Sequence, residues 1–199
     1  MKLIGMLDSP FVRRVAVLFA TRGIAFTHES VSVFRHMDRF GAVNPLFKAP
    51  TLVTDDGTVL MESSLILHWA EGVTGQNFLP SEPGSRTRAA RLAALGLVAM
   101  EKAVQIEYER KRPEAERSAA WQARVAEQLA TSWSLIETEL TGGEADPLSL
   151  EGITATVAWG FGRFVTPLHA PPERFSRLAA YAGRAEELPE YRRFPVDAV

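Results

Sequence analysis

Cysteine is missing from all 199 residues. That absence removes disulfides, thiolate metal sites and every mechanism that needs a sulfur nucleophile from the protein itself. Histidine is scarce too: His28, His36, His68 and His169 show none of the short spacings by which one helix or loop presents two metal ligands, so no metal site is expected. Neither sign of charge dominates. With 22 Lys and Arg against 24 Asp and Glu, the formal net charge is -2, and no general pull toward nucleic acid is expected. No run reaches the roughly 18 apolar residues that cross a bilayer, and the short apolar opening, broken by Asp8, lacks the hydrophobic region of a signal peptide. A soluble, cytoplasmic protein is the expectation. GxSxG, phosphate-loop and GxGxxG patterns in a suitable setting are absent as well, which leaves hydrolase and nucleotide-binding readings without support.

What is present is enough apolar residue, 46% of the chain, to bury a substantial core. Up to about residue 75 the pattern alternates strand and helix. Lys2 to Met6 reads as a strand, and Ser9-Pro10 as a cap and first turn for an apolar helix that Gly23 ends. "AFTHESVSV" reads as a second strand and "FRHMDRFGAVNP" as polar and irregular. Thr51 to Thr54 and Thr58 to Met61 flank an Asp-Asp-Gly turn and predict a hairpin, after which Ser63 is expected to cap a helix running to Gly72 or Gly75. Residues 76–85, "QNFLPSEPGS", have the composition of a linker. Beyond it, 86–199 shows helical spacing only: Leu92, Leu95, Ala99, Ala103 and Ile106, then Trp121, Val125, Leu129, Trp133, Ile136 and Leu140, then two shorter helices. The mixed-sign run "EYERKRPEAER" reads as a solvated corner. The fold class is therefore α/β followed by all-α.

Two helix starts carry serine. The first amides of a helix lack internal partners and face the positive end of the dipole, so either start can receive an anion. Ser9 suits a thiolate or phosphate, or is a plain cap. Ser63 suits a carboxylate, and the preceding Glu62 an ammonium. Between them, "NPLFKAP" puts Ala49-Pro50 ahead of a strand. Residue frequencies alone favour a trans bond there, since only about 5–6% of X-Pro bonds are cis in folded proteins.

"SPFVRRV" after the first strand, "NPLFKAPTL" before the hairpin, "ES" opening the next helix and the all-helical second half resemble, over nearly the whole chain, a cytosolic glutathione transferase. The likeness is to bacterial serine-type, zeta- or theta-like members. It implies a thioredoxin-like first domain over 1–75, a linker at 76–85 and a helical domain over 86–199. It implies a cis proline at Pro50, with the backbone of Ala49 pairing with the cysteinyl main chain of glutathione. Glu62 and Ser63 would hold the γ-glutamyl amino and carboxylate groups, Lys48 would lie near the glycyl end, and Ser9 would hydrogen-bond the sulfur. Without cysteine, thiol-disulfide exchange through the protein is ruled out, leaving transfer or isomerisation by activated glutathione, as in detoxification.

A homodimer is implied by kinship, with a small electrophile as second substrate and no metal, nucleic-acid or membrane partner. Leu7, Phe11, Tyr108, Arg112 and Trp159 are candidates to line the electrophile pocket, although ordinary packing or solvated charge is the favoured reading of the last three. A specialised isomerase, dehalogenase or ether-cleaving enzyme, or a non-catalytic binding module, would share these features. One departure from the family is local: many relatives start the core helix of the second domain with S-x-x-D, whereas here Gly152 stands third after Ser149 and cannot supply the reciprocal carboxylate, so either Glu151 or Thr154 compensates or the cap is weaker by about 1 kcal/mol.

Overall fold

A computed structural model describes residues 1–196. Two compact units are present: 1–78 together with 188–196, and Leu79–Glu187. In the first unit, β1 (Lys2–Ile4), α1 (Pro10–Thr21), β2 (Thr27–Glu29), α2 (Met37–Gly41), β3 (Thr51–Val53), β4 (Val59–Met61) and α3 (Ser63–Thr74) follow one another. The four strands form a mixed sheet in the order β2-β1-β3-β4, with β1 parallel to β2 and antiparallel to β3, and β3 antiparallel to β4. This is the thioredoxin-like arrangement that the resemblance implies. Leu3 and Leu52 from the sheet, Val12, Val15, Leu18 and Phe19 from α1, and Ile66 and Ala70 from α3 are fully buried.

Two local readings change. The second strand, expected across residues 25–33, is only Thr27–Glu29. Ser32 explains its early end: its Oγ accepts from the amides of Phe34 (3.2 Å) and Arg35 (3.1 Å), a turn that competes with continued pairing. The segment read as irregular contains α2, whose five residues are too few for a periodic signal.

Adjacent arginines on α1 diverge because successive helical residues point about 100° apart. Arg13 is buried, donates from Nε to the Phe194 carbonyl at 2.7 Å, and lies 5.9 Å from the Tyr191 ring centre. Phe194 stacks on Phe26, which meets Phe19 edge-on. The short helix α8 (Pro189–Arg192) and Phe194 therefore belong with α1, whereas the sequence pattern places them in the helical half.

The second unit is all-helical: α4 (Pro83–Lys111), α5 (Ala119–Glu139), α6 (Leu150–Val165) and α7 (Ser176–Glu186). Its core includes Trp133 edge-on to Trp159, itself edge-on to Phe175. The α4–α5 corner carries exposed ion pairs, Arg110 with Glu107 and Arg112 with Glu109 and Glu116, matching a solvated turn. At the α6 start, Ser149 Oγ accepts from the Gly152 amide at 3.1 Å, while the Ser149 amide donates to the Asp146 carbonyl at 2.9 Å. The carbonyl thus replaces the missing carboxylate. A Cβ on residue 152 would stand 2.2 Å from that carbonyl oxygen and 2.5 Å from the Tyr181 hydroxyl, so the close turn itself requires glycine. Among the described residues no helix is long and apolar enough to cross a membrane.

Arg13→Ala leaves the buried Phe194 carbonyl without its charged donor. It is expected to lower unfolding free energy by about 1–3 kcal/mol, seen in urea titration as a lower midpoint with an unchanged slope.

Candidate functional site

The register gathers the candidate residues. Ile4 stands opposite Thr51, and Thr51 opposite Met61, so one row crosses β1, β3 and β4 at a single end of the sheet. The next residue outward on each strand is Gly5, Pro50 and Glu62. From that end the chain leads into the Ser9 turn, the Ala49-Pro50 link and α3. Gly5 is where two of these come closest. Its φ of +139° is glycine territory, and a Cβ there would lie 2.6 Å from Val12 Cγ2 and 3.2 Å from Ala49 Cβ. The first turn of α1 and the proline turn thus touch the same backbone atom group.

Ser9 occupies the N-cap position of α1, with extended dihedrals of -72° and 119°, but its side chain makes no capping bond. The cap is built by the main chain: the Ser9 carbonyl accepts from Val12 (3.1 Å) and Arg13 (3.0 Å), and Pro10 supplies no amide to satisfy. The half-buried hydroxyl is therefore not consumed by its own helix.

The 44–51 loop is organised by a residue that sequence reading passed over. Asn44, almost fully buried, donates from Nδ2 to Thr51 Oγ1 at 2.8 Å and to the Lys48 carbonyl at 3.4 Å, and accepts from the Leu46 amide at 3.0 Å. Thr51 Oγ1 also donates to the Lys48 carbonyl at 2.7 Å. The available signal was the dipeptide Asn44-Pro45, a turn initiator whose side chain mimics backbone. This network fixes the chain on both sides of Ala49-Pro50, whose peptide bond is cis, as the resemblance implied and contrary to the frequency-based expectation. The Lys48 side chain is exposed, while its carbonyl lies inside the network.

At α3 the cap is Glu62, not Ser63. Glu62 adopts φ +70°, a conformation uncommon outside glycine, and its carboxylate accepts from the Ser64 amide (3.1 and 3.2 Å to the two oxygens) and the Leu65 amide (3.2 Å). Ser63 is fully buried behind it. Its Oγ donates to Glu62 Oε1 at 3.3 Å and accepts from Arg14 Nη1 at 3.0 Å, and Arg14 also reaches Ser64 Oγ at 3.3 Å. Burial pushes the Arg14 guanidinium down to about 10, the nearby Glu62 charge opposing that fall, so it stays cationic near neutral pH. The acid-serine pair is thus tied to α1 as well as to its own helix.

Of the expected pocket residues, Trp159 lies in the core of the second unit, packed on Trp133 and Phe175. Arg112 is an exposed C-cap with ion pairs to Glu109 and Glu116. Tyr108 is half-exposed on α4, Leu7 is buried, and Phe11 is partly buried in the first turn of α1. Among the described residues no three His, Asp or Glu side chains form a group suited to a metal ion.

Residues 3–77 match the glutathione S-transferase N-terminal domain family. The chain is 29% identical over 167 residues to a protein of Escherichia coli K12 named "uncharacterized GST-like protein YibF", an alignment spanning 82% of this chain and 83% of that one. A glutathione S-transferase from Methylobacterium radiotolerans, crystallised in complex with glutathione sulfonate, has a TM-score of 0.89 at 28% identity, covering 100% of this chain and 96% of that one. A glutathione transferase family member from Pseudomonas fluorescens Pf-5, with bound S-(propanoic acid)-glutathione, has a TM-score of 0.83 at 25% identity and 100% coverage of both. The fold is accordingly a thioredoxin-like glutathione S-transferase N-terminal domain followed by an all-helical domain. The chain is thus similar to glutathione S-transferases, in its family match over residues 3–77 and in fold over its length.

Asn44→Leu removes the organiser of the proline turn while keeping the side-chain volume similar. Loss of its bonds is expected to cost about 1–3 kcal/mol of stability, read by chemical denaturation, with a larger loss than for Leu46→Ala on the exposed side of the same loop.

Proposed function

We propose that the protein binds glutathione at this sheet end and activates its thiol for attack on a small electrophile. The single observation that carries the reading is the row Gly5, Pro50, Glu62. It gathers a hydroxyl at a helix start, an extended backbone edge beside a cis proline, and an acid-serine pair, which are the groups a γ-glutamyl-cysteinyl tripeptide requires. The relatives crystallised with glutathione derivatives share the fold over the whole chain. In this reading the Ala49 backbone pairs with the cysteinyl main chain, Lys48 faces the glycyl carboxylate, and Glu62 and Ser63 take the γ-glutamyl ammonium and carboxylate. The donor set fits: the Glu62 carboxylate has about four acceptor directions and receives three donors, from Ser63, Ser64 and Leu65.

Ser9 supplies the chemistry. A thiol of pKa about 8.5 is only about 3% thiolate at pH 7, and lowering that pKa by about two units gives about three quarters thiolate. The shift needs about 2.7 kcal/mol of preference for the anion. A hydrogen bond to a charged group contributes about 1.5–3 kcal/mol and a helix N-terminus about 0.3–1 kcal/mol more, so a serine hydroxyl at this position suffices without a protein base. That its side chain makes no capping bond supports this use. The thiolate attacks the electrophile, forming the sulfur bond as the leaving group departs with its electron pair. We further propose a serine-type, zeta- or theta-like class and a homodimer; exposed Leu46, Leu65 and Val73 on the first unit are consistent with self-association.

Glutathione at about 100 times its Kd should stabilise the native state by about 2.7 kcal/mol, measured as a thermal shift. No shift removes the glutathione reading, whereas binding without conjugation of a generic aryl halide points to a specialised enzyme or a binding module. Ser9→Ala should lower kcat/KM by about tenfold to a hundredfold with little change in glutathione Kd. Equal losses in both contradict the proposed activation.

A further inference from the structure

Arg14 is a buried cation that the activation chemistry does not use, and its geometry dictates the direction of a hydrogen-bond chain. A guanidinium has five donors and no acceptor. The Arg14 Nη1 to Ser63 Oγ contact at 3.0 Å therefore occupies a lone pair of the hydroxyl and leaves its proton pointing elsewhere. In this structure that proton goes to Glu62 Oε1 at 3.3 Å. The same guanidinium also engages Ser64 Oγ at 3.3 Å, while Ser64 donates to Glu62 through its backbone amide. Ser63 is fully buried, and the Glu62 carboxylate that accepts its proton is half-buried.

We propose that Arg14 is a positioning residue: by donating to Ser63 Oγ it commits that hydroxyl as an outward donor, held by Glu62 in the resting protein and passed to the γ-glutamyl α-carboxylate of glutathione on binding. This rests on the glutathione reading above. The hand-over has a second consequence. When the Ser63 proton turns to the incoming carboxylate, Glu62 Oε1 loses one donor and regains an acceptor direction for the ligand's ammonium. Recognition of the two charges of an α-amino acid is thereby coupled through one hydroxyl. The coupling begins on α1, the helix that also carries Ser9. The buried charge adds attraction for a carboxylate in surroundings where screening is weak. Retention of that charge at neutral pH, with burial lowering the Arg14 pKa only to about 10, agrees with this role.

The test compares glutathione with an analogue in which the γ-glutamyl α-carboxylate is replaced by hydrogen, each titrated calorimetrically into the wild type, Arg14→Met and Ser63→Ala. The wild type should bind glutathione about tenfold or more tightly than the analogue, the span expected for a charge-assisted hydrogen bond. In both variants the two ligands should bind with nearly equal affinity, chiefly because glutathione weakens. A bracing role for Arg14 would lower the melting temperature and weaken both ligands by the same factor, preserving their ratio; that result overturns the inference. Should Arg14→Met fail to fold, Ser63→Ala still decides, because full discrimination without the hydroxyl also overturns it. A wild type that binds glutathione yet does not distinguish the analogue overturns the inference alone. A wild type that binds neither ligand sinks the glutathione reading with it.

Discussion

Everything at the candidate site depends on one register: Ile4 opposite Thr51 opposite Met61. Side chains alternate faces along a strand, so a slip by one residue would turn Leu3 and Leu52 out of the core. The hydrophobic core therefore locks the register, and the register in turn fixes which residues emerge at the sheet end. Ser9, Pro50 and Glu62 are far apart in sequence, yet each lies within a few residues of that row. Packing energy thus positions polar groups that contribute little to it.

Two neighbouring arginines show how one helix serves both purposes. Arg13 turns toward the chain end and holds the Phe194 carbonyl, while Arg14 turns toward α3 and holds Ser63. Both guanidinium groups are buried, which is costly unless their donors are used. Each is matched to oxygen on a separate element. As a result the start of α1, just after Ser9, is fastened to two other elements, and the position of that hydroxyl does not depend on its own capping bond.

Much of the fold was legible because its signals are local. Ser-Pro marked the start of α1, Asp-Asp-Gly the hairpin, and helical spacing the second half. What was not legible depends on tertiary closure. Glu62 displaced Ser63 as the cap through a backbone φ of +70°, which no neighbouring residue announces. Asn44 earned no role because its partners, Lys48 and Thr51, matter only once the loop folds back on itself. The terminal segment carries a helical pattern, and only the contact with Arg13 reveals which unit it joins. Gly152 looked like a weakened cap until the approach of the Asp146 carbonyl showed why a side chain is excluded. The resemblance supplied the cis bond, which residue frequencies alone argued against.

The most direct test is a crystal structure of the protein soaked with glutathione. The tripeptide should lie across the Gly5, Pro50 and Glu62 row, its sulfur within hydrogen-bond reach of Ser9 Oγ and its cysteinyl main chain paired with Ala49. Density for glutathione elsewhere on the molecule, or a sulfur directed away from Ser9 in an otherwise occupied site, would contradict that arrangement.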